Sequence, residues 1–230
     1  MDNRRNKTKV LEMQADPKIL RQSIALWRAQ WPAMLLLNFA WVILFVPLVL
    51  ALAFPAWPYG LRIALSLFSV FALIPATAAL YAILHRVCDG ASLGFDLAWQ
   101  GLKAQFVNAF TRLLPLNSLL FWLILADRWA IGKSLFIEAT IVRLLILILA
   151  VLSLYWGPTM VDVPALSAIG LFIASYKLFW HRPGKTLLAG LSCLLILVLG
   201  AVTILGMLLI APVLLVLVQL QLFRAVAVRR

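Results

Sequence analysis

The stretch at residues 73–114, LIPATAALYAILHRVCDGASLGFDLAWQGLKAQFVNAFTRLL, holds the clearest change in the chain from a membrane-like to a water-exposed composition. It is apolar and uncharged through Ile83, and then His85, Arg86 and Asp89 end the apolar run. Beyond them, large apolar residues recur every three or four positions, the spacing of one stripe on an α-helix. The stretch therefore predicts a membrane span, a short turn, and an amphipathic helix at the membrane surface that leads into the next span. The stripe consists of Phe95, Trp99, Leu102, Phe106, Phe110 and Leu113.

The composition of the whole chain excludes an ordinary soluble domain. Of its 230 residues, 65% are hydrophobic and 12% are charged, whereas soluble domains have about 45–50% apolar and about 25% charged residues. The net charge of +12 comes from Lys and Arg residues that flank apolar runs, so it indicates topology and contact with anionic lipid rather than nucleic-acid binding. Cys88 and Cys193 lie far apart in sequence and predict neither a disulfide nor a metal site.

The apolar runs predict an all-α, polytopic transmembrane helix bundle, since a span needs about 20 apolar residues. Residues 1–30 are expected to be a basic cytoplasmic tail and an amphipathic helix that starts at Asp16 and Pro17. The first apolar run, 31–54, is too long for a signal-peptide core of roughly 7–15 residues, so it is interpreted as an uncleaved span. Six spans are predicted, at 31–54, 61–84, 107–126, 141–161, 186–202 and 205–223, with surface helices at 95–112 and 164–181.

Residues 163–181 are ambiguous, because this mostly apolar segment could span the membrane or lie on its surface. A surface location gives six spans and puts 16 of the 20 Lys and Arg residues on the cytoplasmic side. A spanning segment divides them equally. The positive-inside rule therefore favours six spans in a bacterial cytoplasmic (inner) membrane, with both termini in the cytoplasm.

Several motifs resemble the YesL-like family of small bacterial integral membrane proteins. They are Asn-Phe-Ala-Trp at 38–41 with Pro47, then Ala-Thr-Ala-Ala-Leu-Tyr at 76–81, and residues 96–110, with a fainter likeness around Gly157-Pro158 and 181–183. The chain departs from the family pattern in the some two dozen residues inserted after Pro47, around 55–60. The family has no settled biochemical activity, and its genes often neighbour those of carbohydrate ABC transporters and glycoside-degrading enzymes. The resemblance implies a role linked to sugar uptake.

Few polar residues fall inside the predicted spans. Asn38, Thr77 and Asn117 are the candidates there, either for hydrogen bonds between helices or for the lining of a solute pathway. Asp162, two residues before Pro164, is interpreted as a helix cap for the following segment rather than as a proton or substrate site. Asp127 and Arg128 are interpreted as a loop pair.

No Walker loop, HExxH, GxSxG or CxxC motif occurs in the sequence, so we expect no enzyme, no catalytic or metal site and no cofactor. The leading hypothesis is an accessory or assembly protein of a transport system, and the resemblance implies that this system serves carbohydrate uptake. Its partners would be the lipid bilayer and the subunits of an ABC transporter, or a second copy of the chain. The face formed by Phe95, Trp99, Leu102, Phe106 and Phe110 is the candidate docking surface. The alternative is a small channel or carrier for an uncharged solute.

Overall fold

The structure is a computed structural model that describes residues 16–203, 206 and 210–227. The predicted tail at 1–15 and the first residues of the predicted sixth span lie outside this part of the chain. Within it the secondary structure is helical, which confirms the predicted all-α class. The helices are α1 Asp16–Ala29, α2 Trp31–Ala53, α3 Tyr59–Cys88, α4 Phe95–Asn108, a π-helical turn at Ala109–Leu113, α5 Leu114–Gly132, α6 Phe136–Ser153, α7 Trp156–Asp162, α8 Ala168–His181, α9 Pro183–Val202 and α10 Ala211–Ala227.

The helices confirm a multi-span bundle. Five helices among the described residues are long and apolar enough to cross a membrane. The predicted sixth span overlaps α10, an apolar helix of 17 residues. The five long helices are Trp31–Ala53, Tyr59–Cys88, Phe95–Gly132, which joins α4, the π-helical turn and α5, Phe136–Asp162, which joins α6 and α7, and Pro183–Gly200.

The third of these helices differs from its predicted form. The sequence predicts a surface helix at 95–112 and a span that starts near 107, whereas Phe95–Gly132 is one continuous helix of 38 residues. Its π-helical turn at Ala109–Leu113 lies just before Pro115. Proline has no N–H to donate and its ring crowds the preceding turn, so a local widening accommodates it without ending the helix.

The first half of this long helix runs antiparallel to the second half of α3. Gln100 accepts a hydrogen bond from Arg86 near the end of α3, at 3.3 Å. Further along both helices, the rings of Phe110 and Phe71 lie 6.0 Å apart. The two contacts advance in opposite directions along the two helices. This segment therefore lies alongside α3, antiparallel to it, rather than crossing it at an angle.

Two sequence-based assignments of charged residues are corrected. Asp127 lies within α5 and accepts a hydrogen bond from Nε of Arg143 at 2.8 Å, instead of pairing with Arg128 in a loop. The reason is that α5 extends to Gly132, which leaves only a short connection before α6. The N-cap of α8 is Ser167, whose hydroxyl accepts from Gly170 N at 3.1 Å, and Asp162 is instead the last residue of α7.

The ambiguous segment 163–181 contains α8, a helix of 14 residues. This length is below the roughly 20 residues that a span requires. Its Leu171 and Leu178 are buried, whereas Ile169, Tyr176 and Trp180 are exposed. The helix therefore packs one apolar side onto the bundle and leaves another outside.

The last helix, α10, lies at the centre of the bundle. It contacts α1, α2, α3, α7, α8 and α9, and nearly all of its residues from Ala211 to Phe223 are buried. The outer helices leave large apolar side chains exposed, such as Leu36 on α2 and Leu191 on α9. Apolar side chains on the outside suit a protein whose surrounding solvent is lipid.

Candidate functional site

Asn38 is fully buried and joins the first span to the central helix. Its Oδ1 accepts a hydrogen bond from the backbone N–H of Val213 at 2.9 Å, in the first turn of α10. The first N–H groups of a helix lack partners within the helix, so the asparagine oxygen supplies one. The Nδ2 of Asn38 has no partner among the described residues.

Thr77 also makes a contact between helices. Its Oγ1 accepts from Nε1 of Trp41 at 3.0 Å, which ties α3 to α2. Asn117 differs, because it is exposed and donates to the carbonyl oxygen of Leu113 in its own helical segment. The structure thus places Asn38 and Thr77 in hydrogen bonds between helices and does not bring Asn117 together with them.

A further contact of this kind was missed by sequence analysis. Pro47 lies inside α2, where it interrupts the regular hydrogen bonding of the helix. The N–H of the next residue, Leu48, donates to Oγ of Ser69 in α3 at 3.0 Å, and Ser69 is fully buried. The proline in the sequence indicates that the helix is interrupted there, but a single sequence does not indicate which hydroxyl accepts the hydrogen bond from the neighbouring N–H.

The predicted docking face divides into two parts. Phe95, Trp99 and Leu102 line an apolar groove of about 250 Å³ whose other walls are α2 and α3. Phe95 is 82% exposed and Trp99 is 49% exposed. Phe106 and Phe110 lie further along, in an edge-to-face contact with ring centroids 5.3 Å apart.

A charged cluster joins the end of α3 to α10. Arg224 donates to the Asp89 carboxylate at 2.6 Å and to the backbone oxygens of His85 and Cys88 at 3.1 Å. The carboxylate also lies 3.3 Å from Nδ1 of His85. The last carbonyls of a helix lack partners within it, and the guanidinium supplies a donor to the Cys88 oxygen and a second donor to the His85 oxygen, which also accepts from Asp89 N at 3.2 Å.

A second polar site lies between α7, α8 and α10, where a cavity of about 480 Å³ is lined in part by Thr159, Asp162 and Lys177. Thr159 is 3% exposed, and its hydroxyl has no partner among the described residues. The sequence pointed to Asp162 but gave no reason to combine it with Lys177, which is fifteen positions further along on another helix.

In the described part of the chain, no group of three or more His, Cys, Asp or Glu side chains could hold a metal ion. No family model, no curated protein and no solved structure matches the chain.

Proposed function

We propose that the chain is a non-enzymatic accessory or assembly protein of a larger membrane transport system. The observation that carries the proposal is the groove beside Phe95 and Trp99. It is almost entirely apolar, about 250 Å³ in volume, and open on the outside of the bundle. Aromatic residues in a groove are frequent anchors of protein–protein contacts, and a helix of a partner subunit could pack there.

The interior of the bundle supports this assignment over a solute pathway. The polar side chains Asn38, Thr77 and Ser69 each make a hydrogen bond to another helix. The central helix α10 presents mainly buried Val and Leu side chains. A carrier for an uncharged solute would need polar groups that face a shared cavity, and Asn117 does not contribute to one with the other two candidates.

The link to carbohydrate uptake rests on the resemblance to the YesL-like family in the motifs at 38–41, 76–81 and 96–110. In the same proposal, the protein resides in a bacterial cytoplasmic membrane with both termini inside. The excess of Lys and Arg on one side of the predicted spans supports that orientation.

Purification of the tagged protein from its own cells in mild detergent, followed by quantitative mass spectrometry, tests the proposal. We expect permease, ATPase or binding-protein subunits of a transporter in near-equal amounts. The double variant Phe95→Ser with Trp99→Ser should lose them. The double variant Trp129→Ser with Phe136→Ser is a matched control, because these two residues are also large, aromatic and exposed but lie elsewhere. A protein that purifies alone and conducts solute in liposomes would refute the accessory role.

A further inference from the structure

The polar cavity between α7, α8 and α10 has the size of a ligand site. Its volume of about 480 Å³ falls within the roughly 300–1,000 Å³ of typical ligand pockets. Thr159, Asp162 and Lys177 are set into walls that are otherwise mostly apolar. The apolar walls include Leu166, Ile173, Leu178 and Phe223.

Two opposite charges, both on exposed residues, line this cavity without an ion pair between them. Within the described residues, neither Asp162 nor Lys177 has an ion-pair partner within 4.0 Å. The hydroxyl of Thr159, in the same wall, also has no partner there. A single ligand that carries both a cation and an anion would satisfy the two charges together.

The position of the cavity indicates where such a ligand would come from. Asp162 ends the helix Phe136–Asp162, which is long and apolar enough to cross a membrane. The end of a span lies at the level of the lipid headgroups. On α8, Tyr176 and Trp180 are exposed, and these aromatic residues are typical of the membrane–water interface.

We propose that this cavity binds the headgroup of a zwitterionic phospholipid with a primary ammonium, that is, phosphatidylethanolamine. Asp162 accepts hydrogen bonds from the ammonium, and Lys177 donates to the phosphate. Both are charge-assisted hydrogen bonds, which are stronger than neutral ones. The headgroup of phosphatidylglycerol would satisfy Lys177 through the same phosphate but would offer no cation to Asp162. This inference goes beyond the accessory role and does not depend on it.

Native mass spectrometry of the full-length protein in detergent tests the proposal, with phosphatidylethanolamine, phosphatidylglycerol or phosphatidylcholine added at equal concentration. The wild-type protein should retain phosphatidylethanolamine about tenfold better than the other two lipids. Asp162→Asn and Lys177→Gln should each weaken this retention about tenfold, the effect of losing one charge-assisted bond. Asp96→Asn and Lys133→Gln remove the same charges from residues that are exposed, as Asp162 and Lys177 are, but lie away from the cavity, and they should leave retention unchanged.

The wild-type comparison decides the proposal even if a variant folds poorly. Equal retention of phosphatidylglycerol would mean that the ammonium is not recognised, and equal retention of phosphatidylcholine would mean that its N–H groups are not. Either result overturns the assignment. Free phosphoethanolamine has the same chemistry from a soluble source. If it binds while the three lipids are retained equally, the lipid assignment is also overturned.

Discussion

Arg224 in α10 lies 2.6 Å from the carboxylate of Asp89, which follows the end of α3. The two residues are 135 positions apart in sequence. The same guanidinium donates to the carbonyl oxygens of His85 and Cys88. The central helix is thereby fixed to one end of a predicted span, and the cap on the helix carbonyls accounts for more hydrogen bonds than the ion pair does.

Replacing Arg224 and Asp89 in turn should separate the contribution of the hydrogen bonds to the carbonyls from the contribution of the ion pair. Arg224→Ala removes the donor to the Cys88 carbonyl and the second donor to the His85 carbonyl, and it should lower the free energy of unfolding by about 1–2 kcal/mol. Asp89→Asn should cost less, because the Asp89 side chain is 56% exposed and exposed ion pairs contribute about 0–1 kcal/mol. Denaturant titration in mixed micelles measures both. An equal loss from the two variants would show that the ion pair dominates.

Gly157 of α7 packs against Tyr81 of α3. A Cβ built on this glycine would overlap the ring of Tyr81, and the Tyr81 hydroxyl is itself bound to Gln219 of α10. Gly157→Ala should therefore destabilise the protein by about 1–3 kcal/mol through overpacking. A shift of the thermal midpoint in detergent reports the change.

Gly60→Ala is the matched control, since a Cβ there would meet nothing within 4 Å. We expect it to be neutral or slightly stabilising, because alanine favours the helix over glycine. An equally harmless Gly157→Ala would indicate that the Tyr81 ring can move away from α7.

Hydropathy was sufficient to predict the helical class and most of the long helices, as the bounds of α2 illustrate. It predicted 31–54, and the helix is Trp31–Ala53. Hydropathy predicts spans well because a segment that crosses a bilayer must be long and apolar and must make its backbone hydrogen bonds internally. The same reasoning could not identify α10 as the central helix. In a membrane, side chains that face lipid are as apolar as side chains that face the core.

The amphipathic stripe from Phe95 to Phe110 shows a second limit of sequence-based prediction. Its spacing correctly predicted a helix, but spacing does not reveal whether Pro115 ends that helix or is absorbed by a π-helical turn. The pairs Arg224–Asp89 and Asn38–Val213 also could not be predicted from the sequence. Each joins residues far apart in the chain, and their partners emerge only when the helices are packed.

The two connections that flank Phe95–Gly132 should be accessible from opposite sides of the membrane. The 38 residues of this helix extend about 57 Å at 1.5 Å per residue, more than the bilayer thickness. Ser92 precedes the helix and Ser134 follows it, and both are exposed. In a background with Cys88 and Cys193 replaced by Ala, Ser134→Cys should react with an impermeant maleimide in intact cells. Ser92→Cys should react only after permeabilisation, and labelling of both sites in intact cells would exclude the proposed orientation.

Substituting Asn38 distinguishes helix packing from solute conduction. Asn38→Ala removes the acceptor for the N–H of Val213 at a fully buried position. We expect a loss of about 1–3 kcal/mol in the free energy of unfolding, the usual cost of breaking a buried hydrogen bond from one side. This exceeds the average of about 0.6 kcal/mol for polar contacts between membrane helices, because the partner is a backbone group of the central helix. Denaturant titration in mixed micelles provides the measurement.

Asn117→Ala is the control, since that side chain is exposed and bonds only within its own helical segment. It should change the free energy of unfolding by less than about 0.5 kcal/mol, as surface substitutions usually do. A solute pathway predicts the reverse pattern, in which Asn38→Ala and Asn117→Ala both alter flux into liposomes and neither alters stability. Because the two readings differ in both measurements, the pair of variants decides whether the buried amide fastens α2 to α10 or faces a permeating solute.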